Sequence, residues 1–240
     1  MKKLLLLFIL FSLPAWATWG TPLQVLSTTG TCGSGTTVVC ATPSFTSVAN
    51  RSAIYITIAH GNGVYPSAVA GNCVAGWVHD ASSRGTDGVN SLDGWHCLVT
   101  TGGTQTVTAT IATGAGRGSY YVESTPSLTP TADISGFQTN ASSASQLGIS
   151  ITPSANDFVV QVISGNVVTA ITGGGYSTAN SSIGTGLGNS NQQGAWLINS
   201  TATAQPTWTQ ASGPGNVNAV SIQEPLPASS SVRRRKGTVF

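Results

Sequence analysis

Short apolar or alternating segments, each bounded by turn-forming residues, dominate the pattern along this chain. Residues 53–59 (AIYITIA) are mostly apolar, whereas residues 104–111 (TQTVTATI) alternate and are rich in β-branched side chains. The first pattern is typical of a strand buried on both faces, and the second of a strand with one buried face. Further segments of these kinds cover residues 120–123, 158–163, 195–198 and 217–222.

Glycine-rich turns separate these segments, as at residues 102–103, 114–118, 173–175 and 213–215. No window combines helix-forming residues with a sustained period of about 3.6 residues. Many short strands between such turns are typical of a sandwich or barrel. The sequence therefore predicts an all-β fold, an antiparallel β-sandwich of jelly-roll type with about eight core strands.

The two halves of the chain repeat a similar spacing of strands. Trp95 precedes Val107 by 12 positions, and Trp196 precedes Trp208 by the same number. Repeated spacing is the usual sign of repeated supersecondary units, although it is also compatible with the ordinary rhythm of β-proteins. We expect two four-stranded units, with Trp95 and Trp196 at equivalent positions that face the core.

The first residues have the pattern of a cleavable signal peptide over residues 1–17. Lys2 and Lys3 precede an apolar run over residues 4–13, Pro14 ends that run, and Ala15-Trp16-Ala17 predicts cleavage after Ala17. The alternative is a membrane anchor, but the run is about half of the roughly 20 residues that span a bilayer. We expect a secreted protein, extracellular or periplasmic, without a transmembrane segment.

Charge is scarce, since only 7% of the residues are charged. From residue 18 to residue 232 the basic residues are Arg51, Arg84 and Arg117, against seven acidic ones. This balance excludes the basic platform of a nucleic-acid-binding protein. Ser, Thr, Asn, Gln and Gly supply the polarity instead, as on many extracellular surfaces.

The four cysteines are Cys32, Cys40, Cys73 and Cys97. An even number in an exported chain predicts disulfides, and the alternative of a zinc site lacks a C-x-x-C spacing. Among the three possible pairings we favour Cys32–Cys40 and Cys73–Cys97.

The C-terminal residues 224–240 differ in composition from the rest of the chain. A Pro/Ser-rich stretch at 224–231 is followed by basic residues at 233–236. Such a run is a solvated tail, or it attaches the protein electrostatically to an anionic surface. The predicted organisation is a signal peptide (1–17), an N-terminal strand and disulfide loop (18–42), a β-sandwich (43–223) and this tail.

Two short motifs give the chain a family resemblance. Ala70-Gly71-Asn72 follows a predicted strand, and a later strand ends in Tyr121-Val122-Glu123. In this order the chain resembles a recurrent, mostly uncharacterised β-sandwich domain of secreted bacterial and phage surface proteins, over residues 43–223. The Asp that usually precedes the Gly-Asn pair is missing from residues 66–69. The resemblance implies a fold and a location rather than an activity.

The stretch from Asp80 to Asp93 is the most polar part of the chain and holds three carboxylates, those of Asp80, Asp87 and Asp93. We interpret it as one long loop between predicted strands. Its oxygens suit Ca²⁺, although the spacing is not that of an EF-hand. We favour the other interpretation, an Asp- and Gly-rich turn held by Asx hydrogen bonds.

Catalytic signals are weak. His60, His79 and His96 lie near these carboxylates, but no G-x-S-x-G motif accompanies them. Trp77 and Trp196 are candidate sugar-binding residues, because an aromatic ring packs against sugar C–H groups while Asn and Gln bind hydroxyls. The alternative is that these tryptophans fill the core. We expect a non-catalytic surface module with an adhesive, carbohydrate-binding or structural role, with a glycan hydrolase or a virion surface domain as alternatives.

Overall fold

The structure is a computed structural model. It describes residues 19–27, 38–73, 75–111, 117–125, 131–153, 157–166, 168–178, 183–187, 190–200 and 202–223. Within these ranges the chain forms strands and no α-helix, so no helix there is long and apolar enough to cross a membrane. The predicted signal peptide, Cys32 and the tail lie outside them.

Seventeen strands lie in the described part of the chain. In order they are β1 (Leu23–Ser27), β2 (Val38–Ala41), β3 (Phe45–Ser47), β4 (Arg51–His60), β5 (Pro66–Ala70), β6 (Val78–Thr86), β7 (Asn90–Val99), β8 (Gly103–Gln105), β9 (Thr108–Ile111), β10 (Arg117–Ser124), β11 (Thr131–Leu147), β12 (Asp157–Asn166), β13 (Ala170–Thr172), β14 (Ser177–Thr178), β15 (Ile183–Leu187), β16 (Ser190–Ser200) and β17 (Thr207–Gln223).

Two antiparallel sheets form the body of the molecule. The first sheet has the order β1-β10-β4-β7-β6, and the second has the order β11-β17-β12-β16-β14. Apolar side chains of both sheets meet in one cluster, which includes Ile54, Ile56, Phe158, Val160 and Val220. The all-β sandwich is therefore confirmed. The strand order does not establish the expected jelly-roll connectivity, because each sheet is made from one half of the chain.

The two sheets have corresponding strand orders, with β10, β4 and β7 of the first matching β17, β12 and β16 of the second. Tyr55 on β4 lies opposite Trp95 on β7. Val160 on β12 lies opposite Trp196 on β16, and opposite Val220 on β17. The central strands of the two halves are thus paired in the same way, which agrees with the expected structural repeat.

The expectation that both tryptophans face the same core is wrong. A Cβ built on Gly94 would lie 2.4 Å from Val220 Cγ2, so Gly94 faces the second sheet. Adjacent strand residues point to opposite faces, and Trp95 therefore lies on the outer face of the first sheet. There it packs in a separate apolar cluster with Tyr55 and Tyr121, whereas Trp196 packs against the cluster between the sheets.

The repeat also fails at the strand after each tryptophan. Val107 leads into β9, which leaves the first sheet and pairs with β2 and β5 in a small three-stranded sheet. Trp208 instead lies within β17, a central strand of the second sheet. Residues of the small sheet, such as Ala109 and Ile111, belong to the same separate apolar cluster as Trp95.

The described parts of the N-terminal segment 18–42 pair with strands that follow in the chain. Its strand β1 pairs with β10 at the edge of the first sheet, and β2 pairs with β9. Trp19 is buried between the sheets, with its ring centroid 5.3 Å from that of Phe158. The backbone N–H of Gly20 donates to the carbonyl of Thr125 at 3.0 Å.

The disulfide Cys73–Cys97 is present, with 6.2 Å between its Cα atoms, which confirms the prediction. It joins the loop after β5 to the central strand β7. Cys40 is also disulfide-bonded. Cys32, its expected partner, lies outside the described residues.

Removing the disulfide by the double substitution Cys73→Ala and Cys97→Ala should lower the free energy of unfolding by about 3 kcal/mol. The bond closes a loop of 24 residues and so restricts the unfolded chain. Urea denaturation of the variant and the oxidised wild type measures the difference. A loss below about 1 kcal/mol would show that the loop is held by its packing instead.

Candidate functional site

The polar stretch from residue 80 to residue 93 is a β-hairpin rather than the long loop we expected. Strands β6 and β7 pair antiparallel across it, with Thr86 opposite Ser91. Oδ1 of Asp87 accepts hydrogen bonds from the backbone N–H groups of Val89 at 2.8 Å and Asn90 at 2.7 Å. Asp87 therefore holds the turn, as in the Asx alternative.

Asp80 and Asp93 lie on opposite faces of the first sheet. Asp80 is paired with Gly94, which faces the second sheet, whereas the neighbouring Asp93 points outward. With Asp87 in the turn, the three carboxylates do not converge. Among the described residues there is no group of three or more His, Cys, Asp or Glu side chains that could hold a metal ion.

Asp93 is the centre of a charged cluster on the outer face. Its Oδ2 accepts a hydrogen bond from Nη2 of Arg84 at 2.7 Å, and its Oδ1 accepts one from Nε at 3.1 Å. Oδ1 also lies 2.6 Å from Nε2 of His79. The Asp93 side chain is 1% exposed, against 35% for Arg84 and 27% for His79. A buried carboxylate thus holds two cationic or polar groups at the surface.

Aromatic rings flank both of these groups. The guanidinium carbon of Arg84 lies 4.6 Å from the ring centroid of Tyr65, and the ring of His79 lies 4.7 Å from that of Trp95. The hydrogen bond to Asp93 raises the pKa of Arg84, and partial burial raises the pKa of Tyr65. Tyr65, His79, Arg84, Asp93 and Trp95 are called the outer-face cluster below.

An irregularity in β6 brings Arg84 to the same face as His79. The pairing of β6 with β7 shifts in register between Asp80 and Gly85. Ser83 faces the second sheet, because its Oγ lies 2.5 Å from a Cβ built on Gly94. A bulge of this kind re-aims the following side chains. Sequence alternation alone could not have placed Arg84, although it is the one basic residue of the hairpin.

Asp80 makes a second, fully buried contact between the sheets. Its Oδ2 lies 2.8 Å from Nδ1 of His96, and its Oδ1 accepts a hydrogen bond from Oγ of Ser135 on β11 at 3.4 Å. Both Asp80 and His96 are buried. This pair connects β6 and β7 to the second sheet and has no access to a ligand in this state.

A third buried network joins the two motifs of the family resemblance. Oε2 of Glu123 accepts hydrogen bonds from the hydroxyls of Tyr121 and, at 2.7 Å, Ser47. The amide of Asn72 donates to Tyr121 Oη at 2.7 Å, and Arg51 lies 3.6 Å from Oε1 of Glu123. These residues fasten the Asn72 loop to strand β10, so their role in this structure is to hold the fold.

Neither tryptophan predicted as a ligand contact flanks the charged groups, although Trp77 packs against the apolar cluster that contains Trp95. Trp77 is half-buried, with its ring centroid 5.7 Å from that of Tyr55 and 6.2 Å from that of Tyr121. Trp196 is half-buried against the cluster between the sheets. The aromatic residues that flank the charged groups are instead Tyr65 and Trp95, which the sequence did not distinguish from core residues.

The outer-face cluster combines a fixed guanidinium, an imidazole and aromatic rings, which are groups that can bind a polar ligand. Among the described side chains, His79 is hydrogen-bonded to Asp93, and His96 is hydrogen-bonded to Asp80. A nucleophile activated by a histidine needs a hydroxyl or thiol in contact with the imidazole, and the described contacts of these two imidazoles are to carboxylates. Asp80 and Asp93 lie on opposite faces of the sheet, so these two carboxylates cannot flank one glycosidic bond.

Comparison of the chain with protein-family models, with curated proteins and with solved structures finds no match.

Proposed function

We propose that this protein is an extracellular, non-catalytic β-sandwich module that binds carbohydrate at the outer-face cluster. The observation that carries the proposal is the partly exposed guanidinium of Arg84, fixed by two hydrogen bonds to the buried Asp93 and packed over Tyr65. A group that is oriented before binding loses little conformational entropy when a ligand arrives.

Arg84 keeps hydrogen-bonding capacity for a ligand. A guanidinium has five N–H donors, and two of its nitrogens are engaged by Asp93. Those N–H groups that do not face the carboxylate can donate to sugar hydroxyls or to a sugar carboxylate. His79 adds a second polar group, since Asp93 binds its Nε2 and leaves Nδ1 for another partner.

The balance of charge suits a polar, weakly charged ligand. The negative charge of Asp93 offsets the positive charge of Arg84, so the cluster is not a strongly cationic patch such as nucleic acids require. The half-buried Tyr65 contributes aromatic surface beside these polar groups, and the buried Trp95 supports the ring of His79. An aromatic face beside polar groups is the combination on which sugar rings pack.

The extracellular location is supported by the signal-peptide pattern, the low charge and the disulfide Cys73–Cys97. A disulfide of this kind persists in oxidising compartments and is rare in the cytosol. The basic tail would in this setting be free to contact an anionic cell surface.

A glycan array probed with the chain from residue 18 onward tests the proposal, with binding then measured by calorimetry. Arg84→Gln should weaken binding of the selected glycan at least about tenfold, since a hydrogen bond to a charged group contributes about 1.5–3 kcal/mol. Arg51→Gln is the matched control, because Arg51 also pairs with a buried carboxylate, that of Glu123. It should leave the affinity unchanged.

Equal losses of affinity in both variants would show that the effect comes from the fold and not from the cluster. Release of free sugar from the bound glycan would contradict a non-catalytic role and favour a hydrolase.

A further inference from the structure

One end of the space between the two sheets is polar, unlike the apolar centre. On β12 the inward-facing residues Val160 and Val162 are followed on the same face by Ser164. Ser164 lies directly opposite Gln192 on β16 and opposite Asn216 on β17. These three side chains form a row across three central strands, and each is no more than 1% exposed.

Two amides beside this row have a fixed orientation. Nδ2 of Asn216 donates to the backbone carbonyl of Asn90 at 3.0 Å, and Nδ2 of Asn218 donates to the backbone carbonyl of Ser83. A backbone carbonyl only accepts hydrogen bonds, so the nitrogen of each amide must be on that side. The amide oxygens Oδ1 of Asn216 and Asn218 are therefore directed elsewhere.

Several polar atoms of this group are buried without a hydrogen-bond partner among the described residues. They are Oγ of Ser164, both amide atoms of Gln192, and Oδ1 of Asn216 and Asn218. Buried polar atoms in native proteins are almost always paired, with bound molecules where protein groups do not suffice. The concentration of such atoms in one row between the sheets indicates a bound partner.

The opposite wall of the space accommodates the side chain of Gln192. A Cβ built on Gly118 of β10 would lie 2.1 Å from Oε1 of Gln192, so the Gln192 amide lies against bare backbone. The described side chains of the row are all uncharged. A buried cation would therefore lack a neutralising carboxylate, whereas neutral hydroxyl groups can both donate to the amide oxygens and accept from Gln192.

We infer that Ser164, Gln192, Asn216 and Asn218 form a second binding site, which holds ordered water molecules between the sheets; their O–H groups donate to the amide oxygens, and their oxygens accept from Gln192. The site lies between the sheets, separate from the outer-face cluster, and does not depend on the function proposed for that cluster.

The sign of one stability change tests the site. If the Ser164 hydroxyl is hydrogen-bonded to a bound water molecule, Ser164→Ala should lower the melting temperature by about 2–4 °C. An unpaired buried hydroxyl gives the opposite result, because its removal stabilises the fold. Ser221→Ala is the matched control, since the buried Ser221 donates to Oδ2 of Asp157 at 2.6 Å and its loss must destabilise.

Two further measurements identify the bound group. A high-resolution crystal structure should show solvent density within hydrogen-bond distance of Ser164 Oγ and Asn216 Oδ1. A melting temperature that rises with the concentration of a neutral oligosaccharide in the wild type and in Arg84→Gln, but not in Gln192→Leu, would show a sugar in the row and contradict the inference. A raised or unchanged melting temperature in Ser164→Ala, together with no density beside the row, would overturn the inference.

Discussion

Above pH 10 the protein should lose stability steeply, by up to about 5 kcal/mol per pH unit, and unfold in a narrow range of pH. The cause is a set of four tyrosines whose phenols are held in their neutral form by the fold: Tyr55, Tyr120, Tyr121 and Tyr176. Each phenol that is protonated in the folded state and ionised in the unfolded state contributes about 1.4 kcal/mol per pH unit.

Burial is the main reason in each case. It raises the pKa of Tyr55 to about 12, and it raises the pKa of Tyr120 well above its usual value. Burial also raises the pKa values of Tyr121 and Tyr176. The negative charge of Glu123 raises the pKa of Tyr121 further. A raised folded-state pKa means that the folded state binds more protons above pH 10, so stability is full below pH 10 and falls as the pH rises.

A spectrophotometric titration of tyrosine, run in parallel with circular dichroism, measures the effect. The chain has five tyrosines, and only Tyr65 is close enough to the surface to ionise in the folded state. We expect one phenol to titrate first and the other four to ionise together with unfolding. Tyr55→Phe keeps the ring and should reduce the slope by about 1.4 kcal/mol per pH unit. Smooth ionisation of all five phenols in a folded protein would refute the prediction.

Trp95→Ala should lower the free energy of unfolding by about 3–5 kcal/mol, whereas Trp196→Ala should lower it by roughly 1–2 kcal/mol. Trp95 is 9% exposed and packs with Tyr55 and Tyr121 in the apolar cluster beneath the small three-stranded sheet, so truncation leaves a cavity there. Trp196 is only half-buried, and the space around it is closer to solvent. Urea denaturation of the two variants measures the difference.

The same pair of variants separates packing from binding. The ring of Trp95 packs against that of His79 and helps to position it, so a folded Trp95→Phe variant should bind the selected glycan more weakly than the wild type. Trp196→Ala should bind it as the wild type does. Equal destabilisation by the two alanine variants would show that the two tryptophans occupy equivalent packing positions after all.

Local pattern predicted the central strands because it reflects a local property, whereas residues 104–111, predicted as one strand, are divided between β8 and β9 in two small sheets. The apolar run at residues 53–59 lies within the central strand β4, and residues 158–163 lie within β12. A strand with both faces covered needs apolar side chains on both, and such a run is visible without knowledge of its neighbours. The equal spacing after Trp95 and Trp196 was less informative, since β9 pairs with a separate small sheet.

The candidate site depends on contacts between strands, and the sequence could not supply them. The sequence does not distinguish Asp80 from Asp93, but Asp80 faces the second sheet and Asp93 faces outward. Asp80 pairs with Gly94, the neighbour of Asp93 on β7, and neighbouring residues of a strand point to opposite faces. The position of Arg84 follows from a register shift within β6. A shift by an odd number of residues exchanges the two faces of a strand; between the pairs Asp80–Gly94 and Gly85–Leu92, β6 has three more residues than β7, and no local pattern specifies this.

The all-β class followed from local pattern alone, because alternating and apolar β-branched segments between glycine turns can bury their surface only in sheets. Cysteine spacing also favoured the pairing Cys73–Cys97, which the structure contains. The predicted export signal stays a prediction from the sequence. The face that each tryptophan and carboxylate occupies, and the places where buried polar groups such as Gln192 meet, came from the tertiary structure. Those assignments depend on register, bulges and the packing of two sheets from distant parts of the chain.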